Sequence, residues 1–376
     1  MKIARTHKVA TVALAGALAL TLSACQSGDS ESDSTTDSGS ATTSESGASQ
    51  GDLSGTINGS GASSQTNAQQ AWRDNFALVQ SGVTINYEAT GSGTGREQFI
   101  GGQVDFAGSD AALSSDELTS ATNTCGGVGV VELPVYISPI AVAYNLPGVD
   151  DLNLSAENVA DIFSGAVTNW SDDSIAANNP DADLPDLAII PVNRADKSGT
   201  TENFTQYLAD AAGDAWSYDP AEVWPVDGTQ SAEKTSGVVQ LTQSVEGAVT
   251  YADASQIGSL SHANIEVDGS FLAYSPEAAA AIVDGSPAAA DASDSVLTFD
   301  LVRDGSIADA YPIVMISYLI GCQSYDDAAT AANVKAYFSY IASAEGQQVA
   351  TDAGAGNAPI SDDLRAKVEA AIETIG

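Results

Sequence analysis

Three short turns rich in glycine, serine and threonine have the composition of anion-binding sites. They cover residues 59–64 (GSGASS), 91–96 (GSGTGR) and 194–200 (RADKSGT). Each turn follows a predicted strand and begins a predicted helix, and the first N–H groups of a helix have no intrahelical acceptor. Glycine lets an anion approach this backbone, and hydroxyls add donors. One such turn is more often only a helix cap, but three in one chain favour an anion site.

Positive charge is concentrated beside two of these turns. Arg96 ends the second turn, and Arg194 and Lys197 belong to the third. An arginine guanidinium matches a tetrahedral oxyanion because it offers two parallel N–H groups. The alternative for each base is a surface ion pair with one of the many carboxylates of the chain. That alternative is weaker for Arg194 and Lys197, because Ser-Gly-Thr follows them immediately.

Asp110 is a carboxylate among turns that should bind an anion. It would repel a fully deprotonated ligand such as sulfate, whereas hydrogen phosphate brings a proton that the carboxylate can accept. A buried polar group left without a partner costs about 1–3 kcal/mol, and more when it is charged. Asp110 therefore favours a protonated oxyanion. The alternative, that Asp110 is only the N-cap of a helix, stays open at this point.

The elements that must position these turns alternate between strands and helices. Hydrophobic periodicity predicts strands over residues 52–60, 83–87, 103–107, 128–135, 137–144, 187–192, 248–251 and 311–320. It predicts helices over residues 63–80, 155–163, 201–208, 277–283, 334–350 and 362–375, and one after the turn at 91–95. This order predicts an α/β fold with mixed sheets flanked by helices. Ligands in such folds bind where strands end and helices begin.

The charge balance excludes several classes of protein. The 376 residues carry 50 acidic and 12 basic side chains, a net charge of −38. Such a chain lacks the basic footprint that nonspecific nucleic-acid binding requires, and it has no charge attraction to anionic lipid. Because 43% of the residues are hydrophobic, a large core can still form. The acidic excess by itself suggests cation binding, an interpretation that the turns do not support.

The first 25 residues have the pattern of a bacterial lipoprotein signal peptide. Lys2, Arg5 and Lys8 precede an apolar run that is too short to span a bilayer comfortably, and the run ends in Leu-Ser-Ala-Cys at Cys25. This ending resembles a lipobox, in which the cysteine is lipidated and becomes the new N-terminus. Residues 26–52 contain no aromatic, no large aliphatic and no basic side chain, which predicts a flexible acidic tether.

Two further cysteines, Cys125 and Cys322, lie in the part of the chain predicted to be exported. An even pair in an oxidising compartment favours a disulfide, and two separate buried thiols are the alternative. The two histidines are His7 and His262, and no cluster of histidines and cysteines with metal-ligand spacing is present. We therefore expect neither a metal nor a cofactor.

Taken together, the motifs resemble those of one family. The set is G-x-G-A-[ST] at residues 59–63, G-S-x-x-G at 91–95, V-D-F-x-x-S-D at 104–110 and R-A-D-x-S-G-T at 194–200. It is similar to the set in the phosphate-binding protein of the high-affinity phosphate ABC importer. The segments PIAVAYNLPG, VADIFSGAVTNW and GAVTY also match, so that the resemblance covers residues 53–376 in family order.

The resemblance implies a two-lobed periplasmic-binding-protein fold (type II-like) that closes over one phosphate. By position it implies that the phosphate-binding residues are Ser63, Ser64, Ser92, Asp110, Arg194, Ser198, Gly199 and Thr200. Asp196 would orient the Arg194 guanidinium, Asp110 would accept the ligand proton, and Ser64 would donate through its backbone N–H. Two positions depart from the family. Ser64 stands where many relatives have an aromatic residue, and Lys197 either adds positive potential or points to solvent.

The resemblance also implies a domain organisation and partners. We expect lobe one over residues 53–138 and 310–376, lobe two over 145–305, and hinge segments near 139–144 and 306–309. The expected partners are inorganic phosphate, the membrane permease of a phosphate ABC transporter and the lipid anchor, with no nucleic acid. The expected state is a monomer held at the outer face of the bacterial cytoplasmic membrane.

Three alternatives remain for the function. The first is a binding protein for another tetrahedral oxyanion, such as sulfate or molybdate. The second is a secreted phosphatase with Ser198 or Asp110 as nucleophile, against which the lack of a metal cluster or an activating base argues. The third is an adhesin or structural surface lipoprotein, in which the anion-binding turns would have no purpose. The sequence therefore favours a binding protein over an enzyme.

Overall fold

The computed structural model describes residues 53–376. The predicted signal peptide with Cys25 and the predicted tether over residues 26–52 lie outside the described residues. Among the helices of the described part, none is long and apolar enough to span a bilayer.

The described residues contain eleven strands, which belong to one connected sheet system. The strands are β1 (Gly55–Gly61), β2 (Val83–Glu88), β3 (Phe106–Ser109), β4 (Val130–Tyr144), β5 (Leu152–Leu154), β6 (Ile190–Arg194), β7 (Gln230–Ala232), β8 (Ala248–Asp253), β9 (Ser261–Val267), β10 (Ser270–Leu272) and β11 (Val314–Cys322). The main path has the order β2-β1-β3-β11-β4-β8-β6-β7. β3–β11, β11–β4 and β4–β8 are antiparallel, and the outer pairs are parallel. The predicted α/β class with mixed sheets is confirmed.

Eleven α-helices of the described residues flank these strands. They are α1 (Thr66–Val79), α2 (Ser92–Ile100), α3 (Ser115–Thr124), α4 (Ala156–Ser164), α5 (Asp173–Asn178), α6 (Gly199–Ala211), α7 (Lys234–Ser244), α8 (Pro276–Gly285), α9 (Ala328–Ala342), α10 (Ala344–Asp352) and α11 (Asp362–Ile372). Several begin at a serine N-cap whose hydroxyl accepts a backbone N–H of the first turn, as at Ser155 and Ser198. These caps fix the residue at which each of these helices begins.

Strand β4 joins the two ends of the sheet, because its first part pairs with β11 and its last part pairs with β8. The sequence predicted two strands here, over residues 128–135 and 137–144, from apolar runs bounded by Pro134 and Pro147. That prediction was wrong. The register shifts at this point, so that Ser317 and Tyr318 of β11 face Tyr136 and Pro134. Val135 is the extra residue of a bulge, which accommodates the proline within one continuous strand.

Two other predicted boundaries differ from the structure. The single helix predicted over residues 334–350 is two helices, α9 and α10, because Ser343 has an extended backbone and caps α10. The glycine-rich turn at residues 91–95 is itself mostly helical, since α2 begins at Ser92 immediately after Gly91 with its positive φ of 97°. The sequence did not predict the short helices and strands α3, α5, α7, β5, β7, β9 and β10.

The expected disulfide is confirmed: Cys125 and Cys322 are bonded, and their Cα atoms are 5.3 Å apart. Cys125 is the C-cap of α3 and Cys322 is the last residue of β11, so that the bond joins a surface helix to a central strand. The lobe boundaries near residues 138–145 and 305–310 stay predictions.

Candidate functional site

The three turns lie at the carboxyl ends of parallel strands, as expected. β1 is parallel to β2 and β3, and Gly61 of β1 is level with Gly108 of β3. We call the segments after these strands the first group of turns: residues 62–64, 89–93 and 110–112. β6 is parallel to β7, and we call the segments after them the second group of turns: residues 195–200 and 233–235.

The two groups of turns contact each other. Ser63 Oγ lies 3.0 Å from Thr235 Oγ1 and accepts from the Thr235 N–H at 3.1 Å. The Gly93 N–H donates to the Lys197 carbonyl oxygen at 3.3 Å. Gln256 Nε2 donates to the Ser63 carbonyl oxygen at 2.9 Å. Residues from distant parts of the chain therefore meet around one small region.

The amino-terminal turn of α6 packs against Asp110. Ser198 is the N-cap, and its hydroxyl accepts from the Thr201 N–H at 3.2 Å. The N–H groups of Gly199 and Thr200 lie in the first turn, where helix geometry supplies no intrahelical acceptor. A Cβ atom at Gly199 would lie 2.6 Å from the Ala111 nitrogen. Only glycine therefore lets this helix terminus approach the segment that follows β3.

Arg194 is the last residue of β6 and is buried. Its Nε and one terminal nitrogen donate to the two carboxylate oxygens of Asp196, at 2.8 and 2.5 Å. Burial raises the pKa of Asp196, but the Arg194 contacts and the Lys234 N–H lower it more, so that its net pKa lies below the ordinary value. This bidentate pair fixes the orientation of the guanidinium and leaves its remaining N–H groups for another acceptor.

The carboxylate of Asp110 is buried and surrounded by hydroxyl donors. Its Oδ1 accepts from Ser64 Oγ and from Ser317 Oγ, both at 2.6 Å. Its Oδ2 accepts from Thr200 Oγ1 at 2.9 Å. Burial raises the pKa of Asp110, and although these hydrogen bonds and the charge of Arg194 lower it, the net pKa stays above the ordinary value. The site thus holds a carboxylate that is hydrogen-bonded as an acceptor on both oxygens.

Asp110 is not a helix cap, which was the alternative that the sequence left open. The next helix, α3, begins at Ser115, and its N-cap is Ser114. The Asp110 N–H donates to Ser92 Oγ at 3.1 Å, and the Asp110 carbonyl oxygen accepts from Asn203 Nδ2 at 2.7 Å. Its backbone and side chain are therefore both held by neighbours from the two groups of turns.

The predicted serines of the first group of turns, Ser63, Ser64 and Ser92, are all buried. Because Ser92 Oγ accepts from the Asp110 N–H, its own proton is available for another acceptor. Ser64 differs from the expectation in one respect, since its hydroxyl, and not only its backbone N–H, takes part in the site by donating to Asp110. The contribution of these residues to binding a ligand stays a prediction.

Two other bases near the turns are paired with carboxylates. Arg96 is buried and donates to Glu222 at 2.7 Å and to Glu117 at 3.3 Å. Lys197 Nζ lies 3.2 Å from Glu222 and 3.5 Å from Glu117. The alternative of an ion pair therefore holds for both. These ion pairs connect α2 and α3 with Lys197 of the second group of turns.

The sequence did not identify four residues that the structure places at or next to the site. Thr235 follows β7, a strand too short and too polar to be recognised. Gln256 lies in a short 3-10 helix after β8. Tyr251, whose hydroxyl lies 2.7 Å from Thr201 Oγ1 and accepts from the Arg194 N–H, and Ser317 are buried positions within strands. Nothing in the local sequence distinguishes these positions from ordinary core residues.

The arrangement can bind a small oxyanion that carries a proton. The free N–H groups at the start of α6, the Arg194 guanidinium and the serine hydroxyls are donors, while Asp110 is an acceptor. Among residues 53–376 no group of three or more histidines, cysteines and carboxylates is placed to hold a metal ion. The residues of the site can therefore bind a ligand through hydrogen bonds and through the charge of Arg194.

Comparisons with known proteins agree with this geometry. Residues 38–345 match a model described as the PBP superfamily domain. A Mycobacterium bovis protein named phosphate-binding protein PstS3 is 35% identical over 320 residues, which cover 84% of this chain and 85% of the relative. Phosphate-binding protein PstS2 of the same organism is 32% identical over 381 residues, and the match covers 100% of both chains.

Solved structures show the same fold. A high-affinity periplasmic phosphate-binding protein, PfluDING, solved with bound phosphate, has a TM-score of 0.68 at 22% identity and matches 84% of this chain and 93% of its own. A phosphate-binding protein from Stenotrophomonas maltophilia has a TM-score of 0.66 at 22% identity, over 84% and 94% of the two chains. These neighbours confirm the two-lobed periplasmic-binding-protein fold. The superfamily model and the mycobacterial relatives together show that this chain belongs to the PstS family of phosphate-binding proteins, within the PBP superfamily.

Proposed function

We propose that this protein captures inorganic phosphate between two lobes and delivers it to the permease of a phosphate ABC transporter. The observation that carries the proposal is the composition of the contact between the two groups of turns. There the Arg194 guanidinium, the N-terminus of α6 and the carboxylate of Asp110 are held together. Phosphate is the ligand named for the similar mycobacterial proteins.

The presence of both the Arg194 guanidinium and the Asp110 carboxylate in the site favours phosphate over sulfate and molybdate. Hydrogen phosphate offers oxygens to Arg194 and to the N–H groups of α6, and it offers one P–OH proton to Asp110. A fully deprotonated oxyanion has no proton for Asp110, and the carboxylate would then face a negative oxygen without a hydrogen bond. Such a buried unpaired charge costs more than the about 1–3 kcal/mol of a neutral group.

We propose a role in transport and not in hydrolysis. Ser198, one of the two candidate nucleophiles, is the N-cap of α6, where its hydroxyl accepts a backbone N–H and, among residues 53–376, has no hydrogen bond to a histidine or a carboxylate. Asp110, the other, accepts hydroxyl hydrogen bonds on both oxygens. His262 lies in β9 and contacts Tyr274, in a different part of the fold. These contacts support binding without covalent chemistry.

The remaining parts of the proposal concern the location and assembly of the protein. We propose that Cys25 is lipidated after removal of residues 1–24 and anchors a monomer to the outer face of the cytoplasmic membrane. The lipobox-like sequence before Cys25 supports the anchor. The lobes 53–138 with 310–376 and 145–305 would close on phosphate around segments 139–144 and 306–309. The passage of β4 from one half of the sheet to the other near Pro139 supports the first of these hinges.

Isothermal titration calorimetry of the purified full-length protein with phosphate and with sulfate tests the proposed function. We expect phosphate to bind more tightly than sulfate. Arg194→Ala should weaken phosphate binding by about 2–5 kcal/mol, a loss of about 30-fold or more, because it removes a buried, hydrogen-bonded charge. Arg365, which pairs with Asp362 on the surface, offers the matched control, and Arg365→Ala should leave binding unchanged. Tighter binding of sulfate than of phosphate would contradict the proposal.

A further inference from the structure

A chain of buried side-chain hydrogen bonds runs from α9 through α1 to Asp110. Tyr337 donates to Gln69 Oε1 at 2.8 Å, and Gln69 Nε2 donates to Gln65 Oε1 at 2.8 Å. Gln65 Nε2 donates to Ser317 Oγ at 2.6 Å, and Ser317 Oγ donates to Asp110 Oδ1 at 2.6 Å. We call these four hydrogen bonds the Tyr337–Asp110 relay. All its members are buried.

The direction of the relay is fixed by its neighbours. Gln65 Nε2 also donates to the Tyr318 carbonyl oxygen, at 3.2 Å, and a carbonyl oxygen can only accept. The amide of Gln65 therefore presents its nitrogen to Ser317, so that the Ser317 oxygen must accept from it. The one proton of the Ser317 hydroxyl is then directed to Asp110 Oδ1. Hydrogen bonds in such a chain strengthen one another.

The relay leaves Asp110 with little freedom in its hydrogen bonding. An ionised carboxylate has about four acceptor positions. Ser317 and Ser64 occupy the two positions on Oδ1, and Thr200 occupies one position on Oδ2. One position on Oδ2 is left. A proton bound to Asp110 itself on Oδ1 would face two hydroxyl donors, one of which would have to turn away.

We propose that Ser317 is a positioning residue that, through the Tyr337–Asp110 relay, keeps Asp110 an ionised acceptor with one free site for a ligand proton. The inference rests on the proposed phosphate-binding function and deepens it. It assigns to a residue of β11, outside the three turns, a part in selecting a protonated oxyanion over a fully deprotonated one. Ser317 acts on the ligand only through Asp110.

Other charged and titratable groups also face Asp110, and the test must keep them unchanged. Arg194 at the end of β6 lowers the pKa of Asp110, and Tyr87 of β2 interacts with the same carboxylate. A cavity of about 410 Å³ borders Asp110, and the other ionisable groups that line it are Glu202, Asp210, Asp300, Arg303 and Tyr318. Substitution of Ser317 leaves all of these side chains in place.

The test is calorimetric titration of the full-length protein with inorganic phosphate at about pH 5 to 8, together with competition by sulfate. Ser317→Ala removes one donor to the ionised carboxylate, which raises the pKa of Asp110. The loss of phosphate affinity on acidification should therefore begin about one pH unit higher than in the wild type. The preference for phosphate over sulfate should narrow in the same variant, as it should in Asp110→Asn.

A matched control and a second variant complete the test. Thr242→Val removes a buried hydroxyl of α7 that donates to the Val238 carbonyl oxygen at 2.8 Å and has no contact with Asp110, and it should leave the pH profile unchanged. Ser317→Cys preserves the shape of the side chain with a weaker donor, and it should give an intermediate shift even if Ser317→Ala does not fold.

The outcomes distinguish the two proposals. If the wild-type protein binds no phosphate, the proposed function is wrong and the role of Ser317 with it. If the wild type binds phosphate but the Ser317 variants retain its pH profile and its preference over sulfate, only the relay proposal is overturned. An equal shift in Thr242→Val would also overturn it, because the effect would then reflect any buried hydroxyl.

Discussion

At the scale of residues, the pKa values of the buried carboxyl groups of this protein differ because their hydrogen-bond donors differ. Asp196 is paired with Arg194, which lowers its pKa below the ordinary value. Asp110 has three hydroxyl donors, and burial still raises its pKa. Burial also raises the pKa of Glu132, to about 7, and one of its carboxylate oxygens has no hydrogen-bond partner. The number and charge of the hydrogen-bond donors thus decide whether the pKa of a buried carboxyl group lies above or below its ordinary value.

Asp253, at the end of β8, is buried and its pKa is raised to about 7 by that burial. The Tyr136 hydroxyl lies 2.6 Å from the Ala355 carbonyl oxygen and 2.9 Å from Asp253 Oδ2, and its single proton can serve only one of them. A protonated Asp253 resolves this, because it can itself donate to the Tyr136 oxygen while the tyrosine donates to Ala355. The Tyr136 hydroxyl, the Ala355 carbonyl oxygen and Asp253 Oδ2 therefore all have hydrogen-bond partners when Asp253 is neutral.

Asp253→Asn should reduce the pH dependence of stability. Folded Asp253 keeps its proton up to about pH 7, whereas the unfolded side chain loses it near pH 4. The folded state thus binds more protons in this window, and the free energy of unfolding falls as the pH rises from about 4 to about 7. The asparagine variant cannot lose this proton, and its amide can donate to Tyr136. At pH 8 it should be on the order of 2 kcal/mol more stable than the wild type.

Chemical denaturation of the two proteins at about pH 5 and pH 8 measures this difference. Thr250→Val provides the control, because it removes a buried hydroxyl of β8 that bonds the Val192 carbonyl oxygen and no acid, and it should leave the pH dependence as it is. An Asp253→Asn variant that loses stability equally at both pH values would show that the carboxylate is needed in its ionised form.

At the scale of elements, the site depends on short connections between parallel strands and helices. α6 begins five residues after β6 ends, and α2 begins four residues after β2 ends. These connections place helix N-termini, which are the positive ends of the helix dipoles, at the carboxyl ends of the parallel strands. The antiparallel strands β4 and β11 contribute differently, because they lie between the two parallel parts and bring Ser317 to Asp110.

The disulfide stabilises the packing of α3 against β11. Cys125 and Cys322 are separated by 197 positions in the chain, so that the bond restricts a large loop of the unfolded state. Its reduction should lower the free energy of unfolding by about 3–5 kcal/mol. Urea denaturation with and without a reductant measures this loss. The double variant Cys125→Ala with Cys322→Ala is the control and should be insensitive to the reductant; an equal response would assign the effect to something other than this bond.

At the scale of the whole molecule, the charge of the protein opposes its proposed ligand. Without residues 1–24, which hold three of the 12 bases and no acid, the net charge would be 9 − 50 = −41. Five of the nine remaining bases, Arg96, Arg194, Lys197, Lys335 and Arg365, form ion pairs with carboxylates in the described part of the chain. Recognition of an anion must therefore be local, through oriented donors, since the field of the molecule repels it.

Salt should consequently speed the association of phosphate with this protein. The Debye length falls from about 30 Å at 0.01 M to about 10 Å at 0.1 M salt, which screens the repulsion between the acidic surface and the anion. We expect the association rate constant, measured by stopped flow, to rise severalfold when sodium chloride is increased from about 10 to about 300 mM. Sucrose at the same osmolality does not screen charge and should not have this effect. A rate constant that falls with salt would indicate a local positive entrance.

The sequence by itself predicted the fold class, the turns and a bond between the two remaining cysteines, and the family resemblance implied the pair Arg194 and Asp196. The turns are encoded locally, since glycine, serine and threonine after a strand specify a helix N-terminus whatever lies elsewhere in the chain. Only the tertiary structure decided that β4 is one strand, that Arg96 and Lys197 pair with carboxylates, and that Ser317 donates to Asp110. Ser317 and Asp110 are 207 positions apart. Their contact depends on the pairing of β3 with β11, and no local pattern specifies which distant strands pair.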